Sequence, residues 1–159
     1  MEFTFTYSTP IGSIQMTANE VAITRLTWII SKEIEKSTME CETALMKEAY
    51  IQLIQYFRGI RTSFSIPLAP SGTPFQQKVW QALLQIPYGQ TRSYQQIAET
   101  IGHPKAYRAV GMANHQNPIG IFIPCHRVVG KNGSLTGFSG GIHLKQWLLT
   151  LEKGEKYAD

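Results

Sequence analysis

The stretch Ser93-Tyr94-Gln95-Gln96-Ile97-Ala98-Glu99-Thr100-Ile101-Gly102-His103-Pro104-Lys105-Ala106-Tyr107-Arg108-Ala109-Val110-Gly111-Met112-Ala113-Asn114 decides how the C-terminal half of this 159-residue chain folds. Ser93 is a good N-cap for a helix running through Ile101, Gly102-His103-Pro104 breaks it, and residues 105–114 restart as a second short helix. Two short helices about a glycine-containing turn form the pattern of a helix-turn-helix. Charge points the same way. Residues 74–159 carry nine Lys/Arg against four Asp/Glu, net +5, whereas residues 1–73 carry six against seven, net −1. A polyanion would dock on the C-terminal part.

Upstream, Ile66-Pro67-Leu68-Ala69-Pro70-Ser71-Gly72 holds two prolines and a glycine, which oppose regular pairing. This predicts an N-terminal domain over residues 1–66, a linker over 67–73 and a C-terminal domain over 74–159. Thr73 caps the next helix, Pro74 suits its first position, and Phe75, Val79, Trp80, Leu83 and Leu84 mark its buried face. In the first thirty residues Phe3, Phe5 and Tyr7 alternate, Pro10 and Gly12 mark a turn, and Ile14, Met16 and Ala18 resume the period of two. Helical spacing follows over residues 42–57, so the N-terminal part reads as a small α+β unit. A last helix is expected over residues 141–152, with Leu144, Trp147, Leu148 and Leu151 on one face.

Hydrophobic residues make up 43% and charged residues 16%, a balance that supports order nearly throughout. The alternating start lacks the basic and apolar regions of a secretory signal, and no apolar run nears the roughly 20 residues of a membrane span. Two cysteines, Cys41 and Cys125, make no disulfide framework. A cytoplasmic protein with no membrane partner is expected.

Between the helix pair and the last helix runs Asn117-Pro118-Ile119-Gly120-Ile121-Phe122-Ile123-Pro124-Cys125-His126-Arg127-Val128-Val129-Gly130. The apolar run over 119–123 reads as a buried strand or extended segment, stopped by Pro124. A thiol is nucleophilic as thiolate, and a free cysteine of pKa about 8.5 ionises little at neutral pH without nearby positive charge or a base. His126 and Arg127 offer both. Neighbours on an ideal strand face opposite ways, so either the backbone turns at Cys125 or a water relays the proton. An arbitrary Cys-His pair is ordinarily an inert buried cysteine beside a satisfied histidine, and the wider sequence must decide.

Ile123-Pro124-Cys125-His126-Arg127-Val128 resembles the active-site signature of the O6-alkylguanine-DNA alkyltransferases. The resemblance runs in order from Gly72-Thr73-Pro74-Phe75-Gln76 and Val79-Trp80 through Ile86-Pro87-Tyr88-Gly89, Ser93-Tyr94, Arg108-Ala109-Val110-Gly111 and Asn117-Pro118 to Ser139-Gly140-Gly141 and Glu152. It reaches weakly to Thr9-Pro10-Ile11-Gly12. It implies an α+β fold: a small ribonuclease H-like N-terminal domain with an antiparallel sheet, then a mostly helical domain carrying the helix-turn-helix.

The resemblance also implies direct reversal of DNA damage, with the alkyl group on O6 of guanine passing irreversibly to Cys125, once per molecule and without cofactor. Cys125 is then the nucleophile, His126 the base acting through a water, Glu152 its orienter and Tyr94 a proton donor to the leaving guanine. Because O6 cannot reach a protein thiol from inside the stack, the base must flip, and Arg108 matches the residue that fills the gap. Ser93, Ala106, Ala109, Gly111 and Ala113 would face double-stranded DNA, with the slim second helix in the minor groove. Asn117, Val128, Phe138 and Ser139 would line the base pocket. Phe138 stands where many relatives have tyrosine. Some relatives hold zinc in the N-terminal domain, but here Cys41 is its lone cysteine and it has no histidine, so no metal is expected. A monomer is expected. Two rivals remain: a DNA-binding regulator whose Cys125 senses alkylation, and a cysteine hydrolase, which would turn over.

Overall fold

Pro10 and Ile11 form the whole loop between two seven-residue strands, β1 (Phe3–Thr9) and β2 (Gly12–Ala18), which pair antiparallel with Thr9 opposite Gly12. Gly12 has φ 123°, a region closed to most L-residues, so the turn depends on it. The alternating residues thus become a hairpin. β3 (Ile23–Trp28) pairs antiparallel with β2, and β4 (Met39–Glu40) adds in parallel at the far edge, giving the order β3-β2-β1-β4. Two residues leave no periodic trace, so β4 was invisible in the sequence. α1 (Ala44–Phe57) is capped by the Thr43 hydroxyl and lies against β1 and β2, burying Met46, Ala49, Leu53, Tyr56 and Phe57.

The computed structural model describes residues 1–29, 39–135 and 141–154, and the chain divides into two units, residues 1–71 and 72–159. The division falls inside the expected linker. Pro67–Ala69 is not free: Ile23 donates to the Pro67 carbonyl at 2.9 Å and Ala69 donates to the Ile23 carbonyl at 2.9 Å, so the segment runs beside β3. A proline is tolerated there because an edge position uses its carbonyl and asks nothing of its missing N–H.

In the second unit, local rules set the helix starts. α2 (Pro74–Leu83) opens with a capping box between Thr73 and Gln76, and α3 (Tyr94–Thr100) repeats the device with Ser93 and Gln96. Gly102, at φ 81°, ends α3: its N–H bonds Glu99 and the His103 N–H bonds Ala98, the paired closure of a Schellman turn. α4 (Tyr107–His115) follows, two residues later than expected, and α2, α3 and α4 pack together. Buried Trp80 of α2 donates its indole N–H to the Ala113 carbonyl of α4 at 2.9 Å. A second two-residue pairing joins β5 (Arg92–Ser93) in parallel to β6 (Val128–Val129). This ladder fixes the start of the helix pair to the segment that leaves Cys125. α5 (Ile142–Glu152) closes the described part of the unit.

The expected strand over 119–123 is instead a tight buried loop. Ile123 donates to the Ile119 carbonyl at 3.0 Å, Phe122 to Gly120 at 2.9 Å, and Ile121 sits at φ 72°. Such a φ is strained for a β-branched residue by about 1–3 kcal/mol. Complete burial of Ile119, Ile121 and Ile123 offsets it, since each fully buried aliphatic side chain contributes about 1.5–3 kcal/mol.

Candidate active site

Pro124 ends the loop with ψ 63°, and Cys125–Arg127 form one turn of 3-10 helix. The backbone therefore turns at the cysteine, which resolves the strand-geometry objection. Three residues per turn set adjacent side chains about 120° apart, in place of the opposite faces of a strand. Cys125 is 4% exposed and His126 fully buried.

Glu152, in the last turn of α5, gathers the site. His126 Nε2 lies 2.6 Å from Glu152 Oε2, and Arg127 donates through Nε to Oε1 at 2.8 Å and through Nη2 to Oε2 at 3.1 Å. The Gly89 N–H adds 3.2 Å to Oε1, while Arg127 Nη1 reaches the Ile86 carbonyl at 2.8 Å. Arg127 thus neutralises Glu152, and the imidazole faces a balanced ion pair. Burial lowers the His126 pKa from its ordinary value, against the opposing pull of Glu152. A neutral ring donating from Nε2 to the carboxylate leaves Nδ1 as its basic nitrogen, the form a general base needs.

Arg127 was expected to assist the thiol, but it is 7% exposed and committed to Glu152. The cation near the sulfur is Lys145 of α5, which the sequence reading missed. Its side chain is wholly buried and Nζ donates to the Val128 carbonyl at 2.6 Å. Burial raises the Cys125 pKa, while a hydrogen bond from Asn117 and the charge of Lys145 pull it back. A signal existed in the sequence: Lys145, Leu148 and Glu152, spaced for one helix face, are the buried stripe of α5. Two charges on an apolar stripe mark a buried ionic site.

The signs set the pH dependence. With the thiol raised and His126 neutral near pH 7, the transfer rate from a preformed complex is expected to climb from about pH 7 to beyond the ordinary thiol value of about 8.5 as thiolate accumulates. Single-turnover rates across that range check this, and a rate that falls with pH would contradict it. Stability carries the other sign test. The unfolded state binds a proton at His126 near pH 6.5 and the folded state resists it, so that contribution is full above about pH 6.5 and is lost as pH falls through the folded value.

Asparagines hold the nucleophile's backbone. Asn114, buried at the end of α4, donates to the Cys125 carbonyl at 3.3 Å, and Asn117 donates to Ile123 at 2.8 Å while accepting from the Ile119 N–H at 3.0 Å. Val128, an expected pocket residue, is buried with its carbonyl on Lys145. Phe138 and Ser139 lie outside the described residues.

The helix pair separates the expected DNA-facing residues. Arg108 and Ala109 are exposed, Ala106 and Gly111 partly so. Ala113 is corrected: it is 2% exposed, turned with Val110 and Asn114 into the core beneath Trp80. Its smallness serves packing between α2 and α4. Ser93 is partly exposed, and its hydroxyl accepts from the Gln96 N–H at 3.1 Å as the α3 cap. Tyr94, first residue of α3, lays its ring beside Gly111, where an added methyl would sit 3.7 Å from it, an ordinary contact. Internal packing does not require glycine at 111.

Comparison with known proteins agrees with this architecture. Residues 4–70 match the family described as "6-O-methylguanine DNA methyltransferase, ribonuclease-like domain" and residues 74–154 its "DNA binding domain". A constitutive methylated-DNA–protein-cysteine methyltransferase of Bacillus subtilis is 49% identical, covering 96% of each chain. A crystal structure of Mycobacterium tuberculosis O6-methylguanine methyltransferase superposes with a TM-score of 0.91 at 45% identity, over 100% of this chain and 97% of that one. A structure of the M. tuberculosis protein in complex with DNA gives 0.90 at 45% identity, covering 96% and 93%. With both halves matched in order and the Cys125–Arg127 turn between helix pair and α5, the chain belongs to the 6-O-methylguanine-DNA methyltransferase family.

Proposed function

We propose that this protein repairs alkylated double-stranded DNA by carrying the alkyl group from O6 of guanine to Cys125, once per molecule. The supporting observation is the Cys125-His126 turn with His126 Nε2 held 2.6 Å from Glu152. His126, through Nδ1 and a bridging water, removes the thiol proton. The thiolate attacks the alkyl carbon in line, so that an S–C bond forms, the C–O6 bond breaks, and its electron pair goes to the guanine. Tyr94 donates a proton to the displaced base, sparing a desolvated pocket a purine anion. The thioether is stable, so the protein is consumed.

Reaching O6 requires extrusion of the nucleotide, at a cost of a few kcal/mol in lost stacking and pairing. Arg108, exposed on α4, enters the gap, while Ala106, Ala109 and partly exposed Gly111 let the helix approach the minor groove. The name of the Bacillus subtilis relative includes methylated DNA, and the M. tuberculosis relative has been seen in complex with DNA. Asn117, Val128, Phe138 and Ser139 border the base. The protein acts as a monomer in the cytoplasm, where reducing conditions keep Cys125 a thiol, and without cofactor or metal.

Arg108→Ala tests this reading. Its transfer from duplex O6-methylguanine is expected to fall by roughly tenfold to a hundredfold, the rate equivalent of the few kcal/mol that flipping costs, with a much smaller loss for free O6-benzylguanine. Equal losses would refute the finger role. A sensor would transfer nothing from duplex DNA, and a hydrolase would turn over.

A further inference from the structure

One residue on α4 breaks its slim profile beside Arg108. Tyr107 is 45% exposed, although its neighbours Ala106, Ala109 and Gly111 are small, and the Arg108 guanidinium carbon lies 5.9 Å from its ring centroid. At about 100° per residue, Met112 (59% exposed) shares the outward arc with Arg108, while Tyr107 lies a quarter-turn from Arg108, at the margin of the face that buries Val110, Ala113 and Asn114. An alanine would serve the helix better than a half-exposed tyrosine, so helix propensity does not account for the ring.

We propose that Tyr107 is a positioning residue for DNA repair: its aromatic face holds the Arg108 guanidinium before docking and presents it for entry into the base stack. This inference rests on the finger role proposed for Arg108. The physical reason is preorganisation. Arginine has a large set of rotamers, and inserting it into a narrow gap removes that freedom; a cation resting on a ring has lost part of it already, so less is lost on binding. Ring and guanidinium sit within the distance at which a cation over an aromatic face is attracted. The role needs the π face and not the hydroxyl. It acts on duplex substrates alone, because a free base presents no stack to enter.

The test compares single-turnover methylation of Cys125 by duplex O6-methylguanine with alkylation by free O6-benzylguanine. Tyr107→Ala is expected to slow the duplex reaction about three- to fivefold, the rate equivalent of an exposed cation–π contact, and to change the free-base reaction by less than about twofold. Tyr107→Phe is expected to restore the duplex rate. In an Arg108→Ala background, Tyr107→Ala should cost less than about twofold more, because residues acting as one unit are not additive. An undiminished duplex rate in Tyr107→Ala, an equal loss on the free base, failure of phenylalanine to rescue, or full additivity with Arg108→Ala would each overturn the proposal. If the wild-type protein took no methyl from duplex DNA, the functional reading itself would fail, an outcome distinct from all of these.

Discussion

Cys125→Ser is expected to abolish alkyl transfer outright, with no methyl detectable on the protein after long incubation with lesion-bearing duplex DNA. The oxygen replaces sulfur in nearly the same space, so the turn and its hydrogen bonds from Asn114 and Asn117 to the Cys125 and Ile123 carbonyls survive. What disappears is the nucleophile. An alcohol ionises far less readily than a thiol, and the burial that already raises the Cys125 thiol disfavours a serine alkoxide further. The other cysteine is Cys41. Cys41 lies beside β4 in the N-terminal unit, where its backbone N–H bonds the Thr4 carbonyl at 2.9 Å. Binding to duplex DNA should persist, because α4 and its outward face are untouched. Loss of transfer with retained binding, measured on one preparation, is the expected result. Residual methylation of the serine variant would move the nucleophile elsewhere.

The second large effect belongs to Glu152→Ala, which should lose both stability and rate. The carboxylate accepts from His126, from two nitrogens of Arg127 and from the Gly89 N–H. Removing it leaves the guanidinium in the interior with the Ile86 carbonyl and the face of Tyr88, whose centroid is 5.8 Å away. Breaking a buried pair by deleting one partner typically costs about 3–5 kcal/mol, much of it the stranded charge. His126 also loses the group that fixes its tautomer, which should slow transfer by about 10²–10⁴, the usual contribution of a positioned general base. Glu152→Gln keeps an acceptor for Arg127, so it should recover part of the stability but little of the rate. Chemical denaturation and single-turnover kinetics separate the two effects. A Glu152→Ala protein as stable and fast as wild type would show that the carboxylate organises nothing.

How much of this the sequence disclosed depends on the range of the interaction. Thr73 and Ser93 each cap a helix through atoms three residues away, and Gly102 ends α3 by its own φ, so local reading suffices. Cys125, His126 and Glu152 were legible through the family signature, and the fold brings His126 and Glu152 together across 26 residues. Other features depend on what the chain meets far away. The loop over 119–123 reads as a strand because its residues are apolar and β-branched, yet it must turn to present Cys125, and burial stabilises Ile121 in a conformation it resists alone. Arg127 looked like help for the adjacent thiol; a carboxylate 25 residues on claims it instead. Lys145 was hidden inside a helix pattern read from Leu144, Trp147, Leu148 and Leu151. The β5–β6 pairing, two residues on each side, has no local signature at all.

The most direct test of the central claim is mass spectrometry of the wild-type protein after reaction with excess duplex O6-methylguanine, followed by peptide mapping. One methyl per protein, a gain of about 14 Da confined to the peptide containing Cys125, with no further turnover, is the expected result. Restored DNA with an unmodified Cys125, or methylation at another residue, would contradict it.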